Sequence, residues 1–276
     1  MAPKVSFIVA IYNVGQYIEQ CVRSLYEQTL EDIEIILVDD CTPDDSIAIA
    51  LRTLEDYPGR KSQVRLIRHE ENKGLSLVRK EGLMEARGEY MMYVDGDDFV
   101  DVRLGELMYA KAVEKDADMV ICDFYRLKED SCRPDTVLSD GIVGDGENVR
   151  SDIINRRVPL FLWVKMIRRS VFIDNEIAWP VRNMGEDTVI STVAAFYSKR
   201  FAQVDIPLYY YRYNPASISK DLTEIRCVNN LHDFKCNVEV YLRFLNDKGV
   251  ADKYGYGIFV NKMRTKNRVL RHVGRR

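Results

Sequence analysis

The sequence predicts an α/β chain built on a mainly parallel, Rossmann-type sheet flanked by helices, with a helical appendage at its C-terminal end. Over the first half, short apolar β-rich runs alternate with amphipathic stretches, the pattern of repeated βα units. The stretches between the runs have room for crossover helices and little else, and such crossovers lay successive strands parallel. Size agrees: 276 residues, 46% of them apolar, suffice for one large domain with a buried core.

Strands are expected at Val5–Ile11, Ile33–Asp39, Val64–Arg68 and Tyr90–Val94, with a fifth at Met119–Asp123. Between them Tyr17, Cys21, Leu25 and Gln28 recur at helical spacing, Ser46–Tyr57 reads as a second helix, and Leu75–Ala86 as a third stopped by Gly88. A helix at Arg103–Lys115 precedes the fifth strand. The polar stretch Lys128–Asp145 reads as a hairpin or loop. Helices at Glu147–Arg157 and Glu186–Ser198 and a strand at Leu208–Tyr213 follow, and helical spacing returns over Leu222–Leu245 and Tyr256–Val273. The expected organisation is a catalytic domain over 1–221, divided near 123 into nucleotide-side and acceptor-side halves, and an appendage over 222–276.

Six cysteines show no Cys-x-x-Cys spacing, and three histidines are too few to complete a zinc set convincingly, so the cysteines read as reduced thiols in a cytoplasmic protein. The chain runs almost at once into its first apolar strand, and that run is too short for a signal or a bilayer span. Net charge is −3, yet Lys253–Arg276 holds eight Lys/Arg and no acid, which leaves −11 for the rest. So acidic a body argues against nucleic acid as a partner. The basic tail fits either peripheral contact with the inner face of an anionic membrane or a helix packed on the domain.

In an open α/β sheet, ligands gather beyond the carboxyl ends of the strands. Those ends carry Tyr12 and Asn13 after the first strand, Asp39 and Asp40 after the second, Asn72 and Gly74 beyond the third, and Asp95-Gly96-Asp97-Asp98 after the fourth. Five carboxylates so placed repel one another unless a cation or hydrogen-bond donors offset them. Closely spaced Asp oxygens at a strand end suit Mg²⁺ or Mn²⁺ that keeps phosphate and water as its other ligands. A lone Asp-x-Asp is as often a helix-capping turn; its place directly after Glu89–Val94 is what favours a site. Phosphate-loop, dinucleotide and Gly-x-Ser-x-Gly signatures are missing, which argues against a P-loop NTPase, a nicotinamide enzyme and the commonest hydrolase.

Val5–Asn13, Ile35–Asp40, Asn72-Lys73-Gly74 with Arg79, and Gly88–Asp98 stand in the order and at the spacings of glycosyltransferase family 2, which this chain resembles over its first 110 residues or so. A weaker match runs through Trp163, Lys165, Glu186-Asp187 and Tyr211–Ser219. The resemblance implies the GT-A fold and transfer of a sugar from a nucleotide-diphosphate donor, expected to be a UDP-sugar, to a hydroxyl on a glycan or lipid-linked acceptor. It further implies that Asp40 meets the uracil, with Asp39 and the backbone near Ala10 and Tyr12 shaping the base pocket. Asp95 would meet the ribose, Asp97 with Asp98 would hold the metal, and Arg79 would face the nucleotide. Asp187 would be the base of an inverting displacement, with Glu186 beside it, while Arg212 and Ser217 would belong to a loop over the diphosphate. Cys41, Lys80 and Val102 depart from the family pattern without removing a ligand. Trp163 or Trp179 is a candidate for stacking on a sugar, although both also read as core tryptophans. A nucleotidyltransferase and a catalytically silent nucleotide-sugar-binding module remain as alternatives.

Overall fold

The computed structural model describes residues 2–128, 131–135, 146–215, 217, 224–258, 260 and 262. Among the described residues nine strands form one sheet: β1 (Val5–Ile11), β2 (Ile33–Asp39), β3 (Val64–Arg68), β4 (Tyr90–Asp95), β5 (Phe99–Val100), β6 (Met119–Lys128), β7 (Ser131–Asp135), β8 (Lys165–Arg168) and β9 (Phe201–Arg212). Their order is β3-β2-β1-β4-β8-β6-β9-β5, with β7 hairpinned onto β6. The helices are α1 (Ile18–Tyr26), α2 (Ser46–Leu54), α3 (Leu75–Glu85), α4 (Leu104–Lys115), α5 (Gly146–Ile154), α6 (Ser170–Ile173), α7 (Glu186–Tyr197) and α8 (Glu224–Asp247).

The block β3-β2-β1-β4 is parallel, as the βα pattern requires. Its central strands are apolar on both faces because helices cover both, and Phe7, Ile8, Val9, Ile35, Ile36 and Leu37 are essentially inaccessible. Beyond β4 the sheet turns mixed. The strand β8, unexpected from sequence, runs antiparallel between β4 and β6. The strand β9 begins at Phe201 rather than Leu208; it pairs parallel to β6 from Met119, and a register shift beside Asp123 carries the pairing past Asp205 and Ile206. The helix α3 ends at Glu85 with Ala86 extended, so Gly88 is no helix cap. Gly88 is required because a Cβ there would come within 2.7 Å of the Ser6 nitrogen.

The C-terminal helix α8 packs on the body of the chain. Tyr241, Phe244 and Leu245 of α8 join the same core as the sheet, and Phe234 and Val238 pack on Met184. No helix among the described residues is long and apolar enough to cross a membrane. Of the expected basic tail helix, Met263–Arg276 lies outside the described residues, as does most of the loop expected to follow Asn214.

Candidate active site

The ends of β1, β2 and β4 open into one cleft of about 1010 Å³. It is lined by Ala10, Tyr12, Asn13, Asp40, Asn72, Gly74, Arg79, Asp95, Gly96, Asp97, Glu186, Asp187, Arg212 and Ser217. The topology thus gathers around one cleft residues spread from position 10 to position 217. Asp39 and Asp98 are outside the lining.

On the nucleotide side, Asn13 takes a left-handed turn (φ 55°) and its N–H donates to Thr42 Oγ1 at 2.8 Å. Asp39 accepts from the Thr42 N–H at 2.9 Å. Asp40 is 3% exposed and already engaged: Oδ1 accepts from the Lys73 N–H (2.7 Å) and lies 2.8 Å from His69 Nδ1, while Oδ2 accepts from the Gly74 N–H (2.8 Å). A uracil contact must share those oxygens, so the first task of Asp40 is to fasten the 72–74 turn. The other nitrogen of His69 faces Glu81 Oε2 at 2.6 Å, completing a carboxylate–imidazole–carboxylate clamp that sequence reasoning missed. A lone histidine after a strand carries no signal of its own. Gly74 is irreplaceable on two counts, a φ of 88° and an Asn183 side chain 2.4 Å from where its Cβ would stand. Gly96 is held by the Ala10 carbonyl, 2.8 Å from its would-be Cβ.

The acidic strand end divides by direction. Asp97 faces the cleft, its Oδ2 accepting from Asn214 Nδ2 at 2.8 Å, and burial together with nearby Asp95 pushes its carboxyl up. Asp98, expected beside it as a metal ligand, points the other way. It is 1% exposed, with Oδ2 accepting from the Tyr209 hydroxyl (2.9 Å) and Oδ1 from the Arg212 N–H (2.7 Å). The tight turn over Asp95–Asp98, closed by the Asp98 N–H donating to the Asp95 carbonyl at 3.0 Å, gives the two neighbouring side chains these separate surroundings. Asp98 anchors β9, and Arg212 follows: Nε donates to the Asp97 carbonyl at 3.0 Å and the guanidinium lies over the Tyr17 and Phe99 rings.

Arg79 is also placed differently from expectation. It lines the cleft, but its side chain is only 3% exposed and its guanidinium serves three carboxylates: Glu186 at 2.5 Å, Asp187 at 2.8 Å and Asp95 at 2.9 Å. Rather than offsetting the nucleotide directly, it ties the donor side to the far wall. One guanidinium does not satisfy this much buried acid. Burial, followed by the field of Asp187, raises Glu186 to about 8, and burial raises Asp187 despite Arg79.

The wall around Asp187 was partly legible. Trp163 stacks between Phe161 (centroids 4.8 Å) and Tyr211 (5.3 Å), and all three line the cleft. Trp179 instead donates to the Ser76 carbonyl at 2.9 Å, as a structural residue does. Arg156, held at φ 61°, donates to Thr188 Oγ1 at 2.9 Å, next to Asp187. Asn237 of α8 is fully buried and fastens the segment leading to Glu186: its Oδ1 accepts from Val181 and Arg182 N–H groups, and its Nδ2 donates to the Arg182 and Met184 carbonyls. Neither residue carried a sequence signal.

Among the described residues, no three His, Cys, Asp or Glu side chains are grouped as a self-sufficient metal site. The donor set nevertheless fits a hard cation of the Mg²⁺ or Mn²⁺ kind. Asp97 is a cleft-facing carboxylate raised by burial and then by its acidic neighbour Asp95, and such ions are commonly held by one or two carboxylates with phosphate and water completing the shell.

The sequence profile described as glycosyl transferase family 2 matches residues 6–138. The chain is 36% identical over 230 residues to the uncharacterized glycosyltransferase EpsJ of Bacillus subtilis, covering 80% of this chain and 64% of that one, so it spans less than two thirds of that relative. It is 30% identical over 265 residues to glycosyltransferase GlyG of Streptococcus pneumoniae, covering 90% of this chain and 81% of GlyG. In structure it resembles residues 1–349 of S. aureus TarS in complex with UDP-GlcNAc, with a TM-score of 0.66 and 21% identity over 88% of this chain and 73% of that one. The mixed sheet flanked by helices is therefore a GT-A-like fold.

Proposed function

From the premise that this chain belongs to glycosyltransferase family 2, we propose that it moves a sugar from a UDP-sugar, with a divalent cation, to a hydroxyl of a glycan or lipid-linked glycan by an inverting single displacement. The observation that carries this reading is that one cleft is lined by Asp97, just beyond β4, and by Asp187, in the first turn of α7, with Arg79 bridging Asp95 to Asp187. The UDP-GlcNAc bound by TarS supports a UDP-sugar as donor.

In this reading the uridine lies against Tyr12, Asn13 and the 72–74 turn, and Asp95 meets the ribose. Asp97 would hold Mg²⁺ or Mn²⁺, which would supply electrostatic stabilisation of the departing diphosphate. Arg212 and Ser217 close the diphosphate side. Asp187 takes the proton of the incoming hydroxyl as it attacks the anomeric carbon, and Glu186 shares the proton inventory of the wall. The raised carboxyl of Asp187 suits a base, since a stronger base serves as long as it is ionised at working pH.

Incubating the protein with a panel of UDP-sugars and Mn²⁺, and measuring both UDP and pyrophosphate, tests this reading. UDP release is the expected result. Pyrophosphate release would mark a nucleotidyltransferase, and neither product a silent binding module.

A further inference from the structure

Beyond β1 the chain turns at Asn13 in the left-handed conformation, and the main-chain N–H groups of Asn13, Val14 and Gly15 follow one another through that turn. Successive N–H groups around a left-handed residue make a concavity that takes an anion such as phosphate when they are free. Here a neighbouring segment of the chain fills it. Thr42 Oγ1 accepts from the Asn13 N–H (2.8 Å), Ser46 Oγ from the Val14 N–H (3.2 Å) and Asp44 Oδ2 from the Gly15 N–H (2.7 Å). Asp44 governs all three, because its Oδ1 accepts from the hydroxyls of Thr42 (2.7 Å) and Ser46 (2.5 Å) and from the Ser46 N–H (3.1 Å). A hydroxyl that gives its one proton to Asp44 turns lone pairs to the Asn13 and Val14 N–H groups, as they require. Burial opposes the Asp44 charge, but the Ser46, Thr42 and Gly15 donors outweigh it and hold the carboxyl below its ordinary range.

We infer that Asp44 is a positioning residue of the donor site, closing the turn after β1 to phosphate and holding Tyr12 and Asn13 as a wall for the nucleotide base. The inference rests on the proposed placing of the uridine against that turn. Tyr12, Asn13 and Val14 line the cleft, whereas Thr42, Asp44 and Ser46 do not. Asp44 therefore acts through the turn and not by touching the nucleotide. With all three N–H groups engaged internally, the turn offers a base its side chains and shape, and the diphosphate is left to the Asp97 end of the cleft.

The test titrates full-length protein, Asp44→Ala and Asp44→Asn with uridine, which has no phosphate, and with UDP and Mn²⁺, well below each melting temperature. Asp44→Ala removes every acceptor. Asp44→Asn keeps one oxygen and turns the other into a donor, so it also unfastens the turn and serves should the first variant not fold. Both ligands are expected to weaken by the same factor in Asp44→Ala, about tenfold for main-chain groups set loose, and by less in Asp44→Asn. KM for the UDP-sugar should rise with that factor while kcat stays within a few-fold, a split that a general loss of stability does not produce. Native affinity for both ligands in folded Asp44→Ala, or in Asp44→Asn if only that variant folds, overturns the positioning role. A loss confined to UDP overturns the closure to phosphate, since it would put the diphosphate on this turn. Native protein that binds neither ligand would instead remove the donor reading, and the inference with it.

Discussion

At the scale of single residues, the separation of Asp97 from Asp98 is the sharpest distinction the fold draws, because adjacent identical side chains are given opposite surroundings. Asp97→Asn should leave the fold intact and abolish both turnover and Mn²⁺-dependent UDP binding, measured by calorimetric titration with and without the metal; UDP affinity that still rises with Mn²⁺ would remove Asp97 from the metal. Asp98→Ala should act on the fold instead. It strips the acceptor from the Tyr209 hydroxyl and the Arg212 N–H in a buried place, and each orphaned donor costs about 1–3 kcal/mol. A lowered melting temperature is the expected readout. In the same cleft, Asp187→Asn should cut turnover by roughly 10² to 10⁴, the span of general base catalysis, with UDP affinity little changed. Turnover kept within a few-fold would place the base elsewhere.

At the scale of elements, α8 decides whether the Glu186-Asp187 segment is held in register. Asn237 makes four hydrogen bonds to the main chain of residues 181–184, and Phe234 rests against Gly185, whose φ of 83° leaves no room for a Cβ. Asn237→Ala should therefore cost at least about 2 kcal/mol of stability, from several buried main-chain groups losing partners, and lower turnover through a loosened Asp187. A variant with native melting temperature and native turnover would contradict this. The same helix marks how far the sequence could be read. The strands β1 and β2 could be bounded to the residue because a strand covered on both faces is a mostly apolar run between polar strand ends. Asp95 and Asp97 were found for the same reason, since topology delivers strand ends to one place, whereas Arg79, inside α3, stood out only through the family resemblance. What sequence hid was direction and distant partnership. Nothing local distinguishes Asp97 from Asp98, reserves Arg79 for acids, pairs His69 with Asp40, or assigns Asn237 to a segment more than fifty residues earlier. β8 escaped because four residues opening on a lysine carry no strand alternation, and the early part of β9 because Gln203, Asp205 and Pro207 interrupt one.

At the scale of the whole molecule, the cleft concentrates more acid than its cations offset, and folding pays for that in a pH-dependent way. Burial, and then the field of Asp187, pushes the Glu186 carboxyl up to about 8 in the folded chain from an ordinary 4.5. Between those values the folded chain keeps a proton that the unfolded chain has released. Stability must then fall as pH rises through the window, by at most about 1.4 kcal/mol per pH unit for one proton. Lys165, pulled down to about 7 by burial, works in the opposite sense, but its window opens only above that value, where the unfolded chain keeps a proton that the folded chain loses. The interval from pH 5 to 7 therefore lies below the Lys165 window, and comparison with a variant at Glu186 singles out that carboxyl within it. Because Glu186 and Asp187 share one guanidinium, the proton belongs to the pair, and removing either acid should relieve the other. Glu186→Gln keeps the shape of the side chain and removes its charge. Without ligand, the melting temperature of the native chain should decline relative to Glu186→Gln between pH 5 and pH 7, a difference of about 2 °C or more for each kcal/mol in a chain of this size. Parallel melting curves for the two proteins over that interval would show that Glu186 carries no raised proton, and that Arg79 alone neutralises the wall.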